Sequence, residues 1–146
     1  MTIDANLVTR KLVLISADLA TLRTIHAKER DDYVSNVTSQ AVAERLLERI
    51  VTRMIDINYH LITATGAPPP SDYHASFQQL ARIGVLDVRF ATRVAGAAGL
   101  RNRLVHDYDD LDHQLVFAAL AQALTDVPAY VAAVHSFVEN ASGRSI

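Results

Sequence analysis

Residues 101–108 read Arg-Asn-Arg-Leu-Val-His-Asp-Tyr, a dense group of polar side chains in a stretch otherwise rich in Ala, Val and Leu. These residue types suit cleavage of an RNA phosphodiester. The reaction needs a group that takes the 2′-hydroxyl proton or protonates the leaving oxygen. Imidazole, which titrates near ~6.5, does either at neutral pH. It also needs donors where the phosphorane-like transition state gathers negative charge, and the planar fork of arginine supplies them. An amide can orient either group. Arg101, Asn102 and His106 are therefore the candidate catalytic residues, and Arg103 and Arg93 the candidate RNA-phosphate contacts.

Spacing constrains this chemistry. Five residues separate Arg101 from His106. On a regular helix their side chains stand about 140° apart, with ~7.5 Å of rise between them. Two arrangements bring them together: a helix that ends or distorts between them, or two chains that each contribute a motif across a two-fold axis. Tyr108, seven residues after Arg101, shares the arginine's face if the helix persists. Between Val88 and Val105 there are four arginines and no Asp or Glu; Asp107, Asp109, Asp110 and Asp112 then follow.

Plainer readings compete. Arg101, His106 and Tyr108 could form a salt-bridged surface cluster at a helix C-terminus, where cations favour the dipole. Asn102 could be a C-cap, and Arg103 and Arg93 solvated charges. The run from His106 to His113 is rich in metal-ligand types, yet it lacks the spacing and central Gly of an EF-hand loop. It also lacks the Glu and Glu-x-x-His elements of di-iron bundles. It reads better as an acidic turn with Asp110 or Asp112 as N-cap of the next helix. No metal or cofactor is expected.

The surrounding chain must position these groups. Its 146 residues, half of them hydrophobic and 21% charged, suit one folded domain over residues 1–146. The absence of cysteine excludes disulfides and thiolate metal sites. A net charge of −2 and a pI near 6.3 exclude a general polyanion binder, so RNA must meet a local patch. The first residues lack the order of a signal peptide, and no apolar stretch is expected to approach the ~18 residues of a membrane span. A cytoplasmic protein without membrane contact is expected.

Helical periodicity dominates. A first helix is predicted over residues 4–28, capped by Asp4, with Leu7, Leu14, Ile15, Leu19, Leu22 and Ile25 inward. Residues 29–40 read as a polar connection with a short helical turn. A second helix over 39–64 carries a stripe of Leu47, Ile50, Val51, Met54, Leu61 and Ile62. Asn58 falls inside that stripe, as a satisfied core amide or a support beneath the site; Asp56 and His60 are predicted to pair on the surface. Gly66 and three prolines end this helix. A third helix over 72–83 is capped by Ser71 or Asp72 and ended by Gly84. A fourth starts at about 86 with Phe90, Val94 and Ala97 on its face. A fifth, over 112–139, turns Val116, Phe117, Leu120, Leu124, Val131 and Val134 inward and is kinked or split at Pro128. The predicted fold is an all-α, antiparallel four- to five-helix bundle.

The R-x4-H-x-Y spacing of Arg101, His106 and Tyr108 resembles the motif of the HepT-like toxins of the HEPN superfamily. The Gly-Val-Leu-Asp segment at 84–87 and the helix lengths extend the resemblance over nearly the whole chain. It implies a homodimeric, metal-independent endoribonuclease, the toxin of a type VII toxin–antitoxin pair, with its cleft at the dimer interface. Arg101 and His106 would be catalytic and Asn102 would assist. Tyr108 would be the residue to which an MntA-type nucleotidyltransferase antitoxin transfers AMP from ATP. An AMP beside Arg101 would compete with RNA phosphate for the same donors, and the acidic Asp109–Asp112 edge could dock the modifying enzyme. The alternative from another class is a non-catalytic, HEPN-like binding subunit of a nucleotidyltransferase.

Overall fold

Local sequence signals set most helix ends in the computed structural model, which describes residues 2–143. α1 (Ala5–His26) starts where Asp4 Oδ1 accepts the Leu7 amide at 3.0 Å. After a short α2 (Arg30–Val34), Asn36 Oδ1 accepts the Ser39 amide at 3.0 Å and opens α3 (Val37–Ala64). Gly66 ends α3 at φ +86°, a conformation that needs glycine. Asp72 caps α4 (Tyr73–Arg82) through the Ala75 amide at 2.7 Å, and Gly84 ends it at φ +88°. Asp87 caps α5 (Val88–Val94), which leads into α6 (Gly96–His106), a single 3₁₀ turn (Tyr108–Asp110) and α7 (His113–Gly143). Asp112 Oδ1 accepts the Gln114 and Leu115 amides at the start of α7. Among the described residues there is no strand.

The architecture is the expected all-α bundle, with α3 at its centre. α3 packs against α1, α2, α4, α6 and α7. Its predicted stripe is buried in full, and Ile57 adds to it. Phe77 and Leu80 of α4, Ile15 and Leu22 of α1, and Leu120 and Val134 of α7 close the core around it. Asn58 is fully buried at the level where α3, α4 and α7 meet. Its Nδ2 donates to Ser76 Oγ at 3.0 Å, and its Oδ1 accepts from the Tyr130 hydroxyl at 2.6 Å. That hydroxyl also reaches the Met54 carbonyl at 3.0 Å. Asn58 is thus the satisfied core amide.

Several expectations change. In α1, Val8 and Leu12 are buried, while Leu7 is half-buried and Leu14 is 45% exposed. Leu14 lies about 100° round the helix from Ile15, off the stripe that faces α3. Asp56 and His60 do not pair with each other. Asp56 takes Lys11 Nζ at 3.1 Å, and His60 Nε2 accepts the Asp4 amide at 2.9 Å, so both tie α3 to α1. The helix predicted from about 86 is two helices. At Ala95 the bonding tightens, with the Ala98 amide donating to the Ala95 carbonyl, and Gly96 follows. α7 is not split at Pro128. Pro128 is exposed, on the side of α7 away from the core. α7 also corrects the expectation of no span-like segment. Over His113–Ser142 it is long and apolar enough, by length and composition alone, to cross a membrane. In this fold it packs against α1, α2 and α3, with Val127, Tyr130 and Val134 in the core.

The Tyr130–Asn58–Ser76 network locks three helices together. Tyr130→Phe leaves the Asn58 carbonyl oxygen without its short donor in a dry site, and is expected to lower unfolding free energy by about 1–3 kcal/mol in urea titration. Unchanged stability would mean that the network contributes nothing.

Candidate functional site

The motif lies on α6, which is helical without interruption from Gly96 to His106. The Asp107 amide donates to the Arg103 carbonyl at 2.8 Å and closes the last turn. Arg101, Asn102, Arg103 and His106 therefore share one unbroken helix. Of the two arrangements that would join Arg101 to His106, a distortion between them does not occur. Within one chain their side chains leave the helix about 140° apart.

The helix does not persist to Tyr108, so the expected Arg101–Tyr108 face is not formed. Asp107 leaves the helical region at φ −121°, ψ 29°, and Tyr108 opens the 3₁₀ turn. The Asp110 amide closes that turn on the Asp107 carbonyl at 3.0 Å, and Asp112 then captures the start of α7. The aromatic ring beside Arg101 is that of Tyr73, whose centroid lies 5.4 Å from Arg101 Cζ.

Arg101 is half-buried and anchored on α3 and α4. Its Nε donates to Thr52 Oγ1 at 3.3 Å, and Nη1 reaches Asn102 Oδ1 at 3.5 Å. Tyr59 meets Tyr73 edge-on, with centroids 6.1 Å apart and planes at 85°. Thr52, Ile55, Asp56, Tyr59, Tyr73 and Arg101 line a cleft of about 230 Å³. Burial pushes the Tyr59 phenol above its ordinary value, and Tyr73 and Asp72 add to the effect. Sequence reasoning missed this wall. Thr52, Asp56 and Tyr59 stand at i, i+4 and i+7, one face of α3 beside its apolar stripe, and that period was the available signal.

The other candidates divide. His106, Arg103 and Tyr108 are exposed, Tyr108 by 63%. Among the described residues, none of the three side chains has a hydrogen-bond or ion-pair partner, and neither Arg101, Arg103 nor His106 pairs with the aspartates that follow. The salt-bridged surface cluster is thus not what α6 forms. Asn102 sits inside α6 and is not its C-cap. Arg93 is engaged elsewhere: Nε and Nη2 both donate to Asp126 Oδ1, at 3.2 and 2.9 Å. Asp126 is only 5% exposed, and its other oxygen accepts from Gln122. Arg93 and Arg103 border a separate, mostly apolar groove of about 560 Å³ between α3, α6 and α7. Arg101 opens into the smaller cleft, away from both. Among the described residues, no three His, Asp or Glu side chains gather in a metal-binding group.

Comparison with known proteins follows the same outline. Residues 15–134 match the family described as Ribonuclease HepT-like. The tRNA nuclease HepT of Aphanizomenon flos-aquae is 35% identical over 136 residues, covering 93% of this chain and 92% of that protein. Among solved structures, the tri-AMPylated HEPN toxin of Shewanella oneidensis in complex with its MNT antitoxin superposes with a TM-score of 0.81 at 21% identity, covering 89% of this chain and 97% of that one. YutE from Bacillus subtilis, described as a cytosolic protein of unknown function, superposes at 0.80 with 16% identity, covering 94% and 92%. At such identities the two structures show a common fold.

The pairing of Arg93 with a buried carboxylate has a consequence of its own. Arg93→Ala strips Asp126 of its cationic donor, and is expected to lower unfolding free energy by about 1–2 kcal/mol at neutral pH, because the arginine is half exposed and partly screened. Thermal unfolding of the variant beside Arg103→Ala, expected to be near neutral, checks the assignment. Equal effects would contradict it.

Proposed function

The chain belongs to the HepT-like ribonuclease family, and on that premise we propose that it is a metal-independent endoribonuclease toxin whose active site forms across a homodimer. The observation that carries the reading is the unbroken α6: it sends Arg101 and His106 in different directions and leaves His106 open at the surface. A second copy supplies the missing half. The Arg101 of one subunit then faces the His106 of the other over one scissile phosphate.

In that arrangement His106 moves protons and Arg101 stabilises phosphate charge. The 2′-oxygen attacks phosphorus, the P–O5′ bond breaks, and the proton lost from the 2′-hydroxyl is balanced by one gained at the departing 5′-oxygen. The products are a 2′,3′-cyclic phosphate and a 5′-hydroxyl. Asn102, within reach of Arg101 Nη1, helps to orient the guanidinium. Arg103, exposed and unpaired among the described residues, is available to a neighbouring phosphate. Arg93 reaches RNA only by leaving Asp126. The 35%-identical relative is named a tRNA nuclease, which supports tRNA as the substrate class. A cytoplasmic site of action fits such a substrate and the cytosolic description of YutE.

Regulation is assigned to Tyr108. Its exposure suits modification by a second protein. A nucleotidyltransferase antitoxin of the MntA type transfers AMP to it: the phenolic oxygen attacks the α-phosphorus of ATP, the α–β bond breaks, pyrophosphate leaves, and the phenol proton passes to solvent. Because the helix stops at His106, Tyr108 stands on the following 3₁₀ turn, two residues past the imidazole, and does not continue the helical face of Arg101. Structural neighbours that are toxin–antitoxin complexes, one of them with an AMPylated toxin, support this partner.

The same divergence is compatible with a second reading, a non-catalytic docking subunit, in which no second copy completes the pair. Cleavage of labelled tRNA in excess chelator separates the two. The wild type is expected to cut. His106→Ala should lose about 10²–10⁴ in rate with unchanged helical content, and Arg101→Lys should be severely impaired because lysine lacks the fork. Tyr108→Phe should cut but resist silencing by the antitoxin and ATP. A wild type that binds the antitoxin and cuts no RNA would favour the docking subunit, and full activity in His106→Ala would remove the histidine from the mechanism.

A further inference from the structure

Resting on the nuclease reading, we infer that Tyr73 and Thr52 are positioning residues that hold the Arg101 guanidinium in its working orientation. An unrestrained arginine samples many rotamers, and a donor must be fixed before the transition state if it is to stabilise charge without reorganising. Two contacts from other helices restrain Arg101. The Tyr73 ring lies under the guanidinium at 5.4 Å, within the range of a cation–π contact. The Thr52 hydroxyl accepts from Nε at 3.3 Å. Nη2 is left without a protein partner among the described residues, and Nη1 makes only the long contact to Asn102. The two terminal nitrogens are therefore available to a phosphate, while the inner edge and one face are held.

The supports are mounted on rigid parts. Thr52 follows the buried Val51 on α3 and precedes the buried Met54. Tyr73 is the first residue of α4, fixed by the Asp72 cap and braced edge-on by Tyr59. Tyr73 is 39% exposed, more than the core requires, and its ring is spent on the arginine and Tyr59. The ring supplies the platform and its hydroxyl does not, so phenylalanine is the conservative replacement. At Thr52 the oxygen acts, so serine keeps the function and valine removes it.

Two measurements on the full chain test this. In tRNA cleavage, Tyr73→Leu is expected to lower kcat about tenfold, equivalent to ~1.4 kcal/mol, with KM within about twofold. Tyr73→Phe and Thr52→Ser should stay close to wild type, and Thr52→Val should fall in kcat. In the NMR spectrum, the Arg101 Nε–Hε resonance, assigned by its loss in Arg101→Lys, should be ring-shifted in the wild type and in Tyr73→Phe. It should move to the position of a free arginine in Tyr73→Leu. Equal loss in the Phe and Leu variants, an unchanged kcat in Tyr73→Leu, or a resonance indifferent to the ring would overturn the assignment. A wild type with no ribonuclease activity would instead count against the nuclease reading, and the resonance would still report on the platform.

Discussion

The regularity of one short helix governs what this protein can do. Hydrogen bonding carries α6 from Gly96 through His106 without a break, and the Asp107 amide closes its final turn. Side chains five residues apart on such a helix diverge. Arg101 and His106, the two candidates for phosphate binding and proton transfer, are thus carried together in sequence and held apart in space. For a nuclease built on these two residues, this geometry calls for a second subunit. A toxin that acts only when paired is the proposed consequence.

The rest of the fold serves the placement of α6. α3 is the common support. Its apolar stripe buries against α1, α4 and α7, and its flank at Thr52, Asp56 and Tyr59 forms the wall that Arg101 meets. The Asn58–Ser76–Tyr130 network fixes the relative setting of α3, α4 and α7. Tyr73, at the start of α4, inherits that setting. The Arg93–Asp126 pair does the same for α5 and α7 at the edge of the larger groove. The polar groups in the interior are therefore mostly joints between helices, and Arg101 is the one catalytic candidate that such joints reach directly.

How far the sequence exposes this depends on whether the deciding force is local. Caps are local, so Asp4 and the glycines at 66 and 84 could be read directly, and Asp72 and Asp112 each as one of two nearby candidates. The α3 stripe was legible because that helix is surrounded and its apolar face has no rival. α1 was misread at Leu7 and Leu14, where two overlapping stripes compete and only the position of α3 decides between them. The bend at Ala95 was hidden, since alanine is a good helix former and the change lies in the bonding around it. The apolar length of α7 was overlooked because its Ala, Val and Leu are interspersed with polar residues. At the site, residue types singled out Arg101, Asn102 and His106 as candidates, and the family resemblance added Tyr108. The partners of Arg101 come from other helices, and no local rule names them.

Subunit mixing tests the central claim most directly. Arg101→Ala and His106→Ala chains, each inactive alone, are unfolded together, refolded and assayed on tRNA. A site shared between subunits requires activity to return, at about a quarter of wild type if the chains mix statistically and each mixed dimer regains one complete site of two. A mixture that forms dimers yet stays as inactive as either variant alone would contradict the shared site, and with it the role assigned to the divergence on α6.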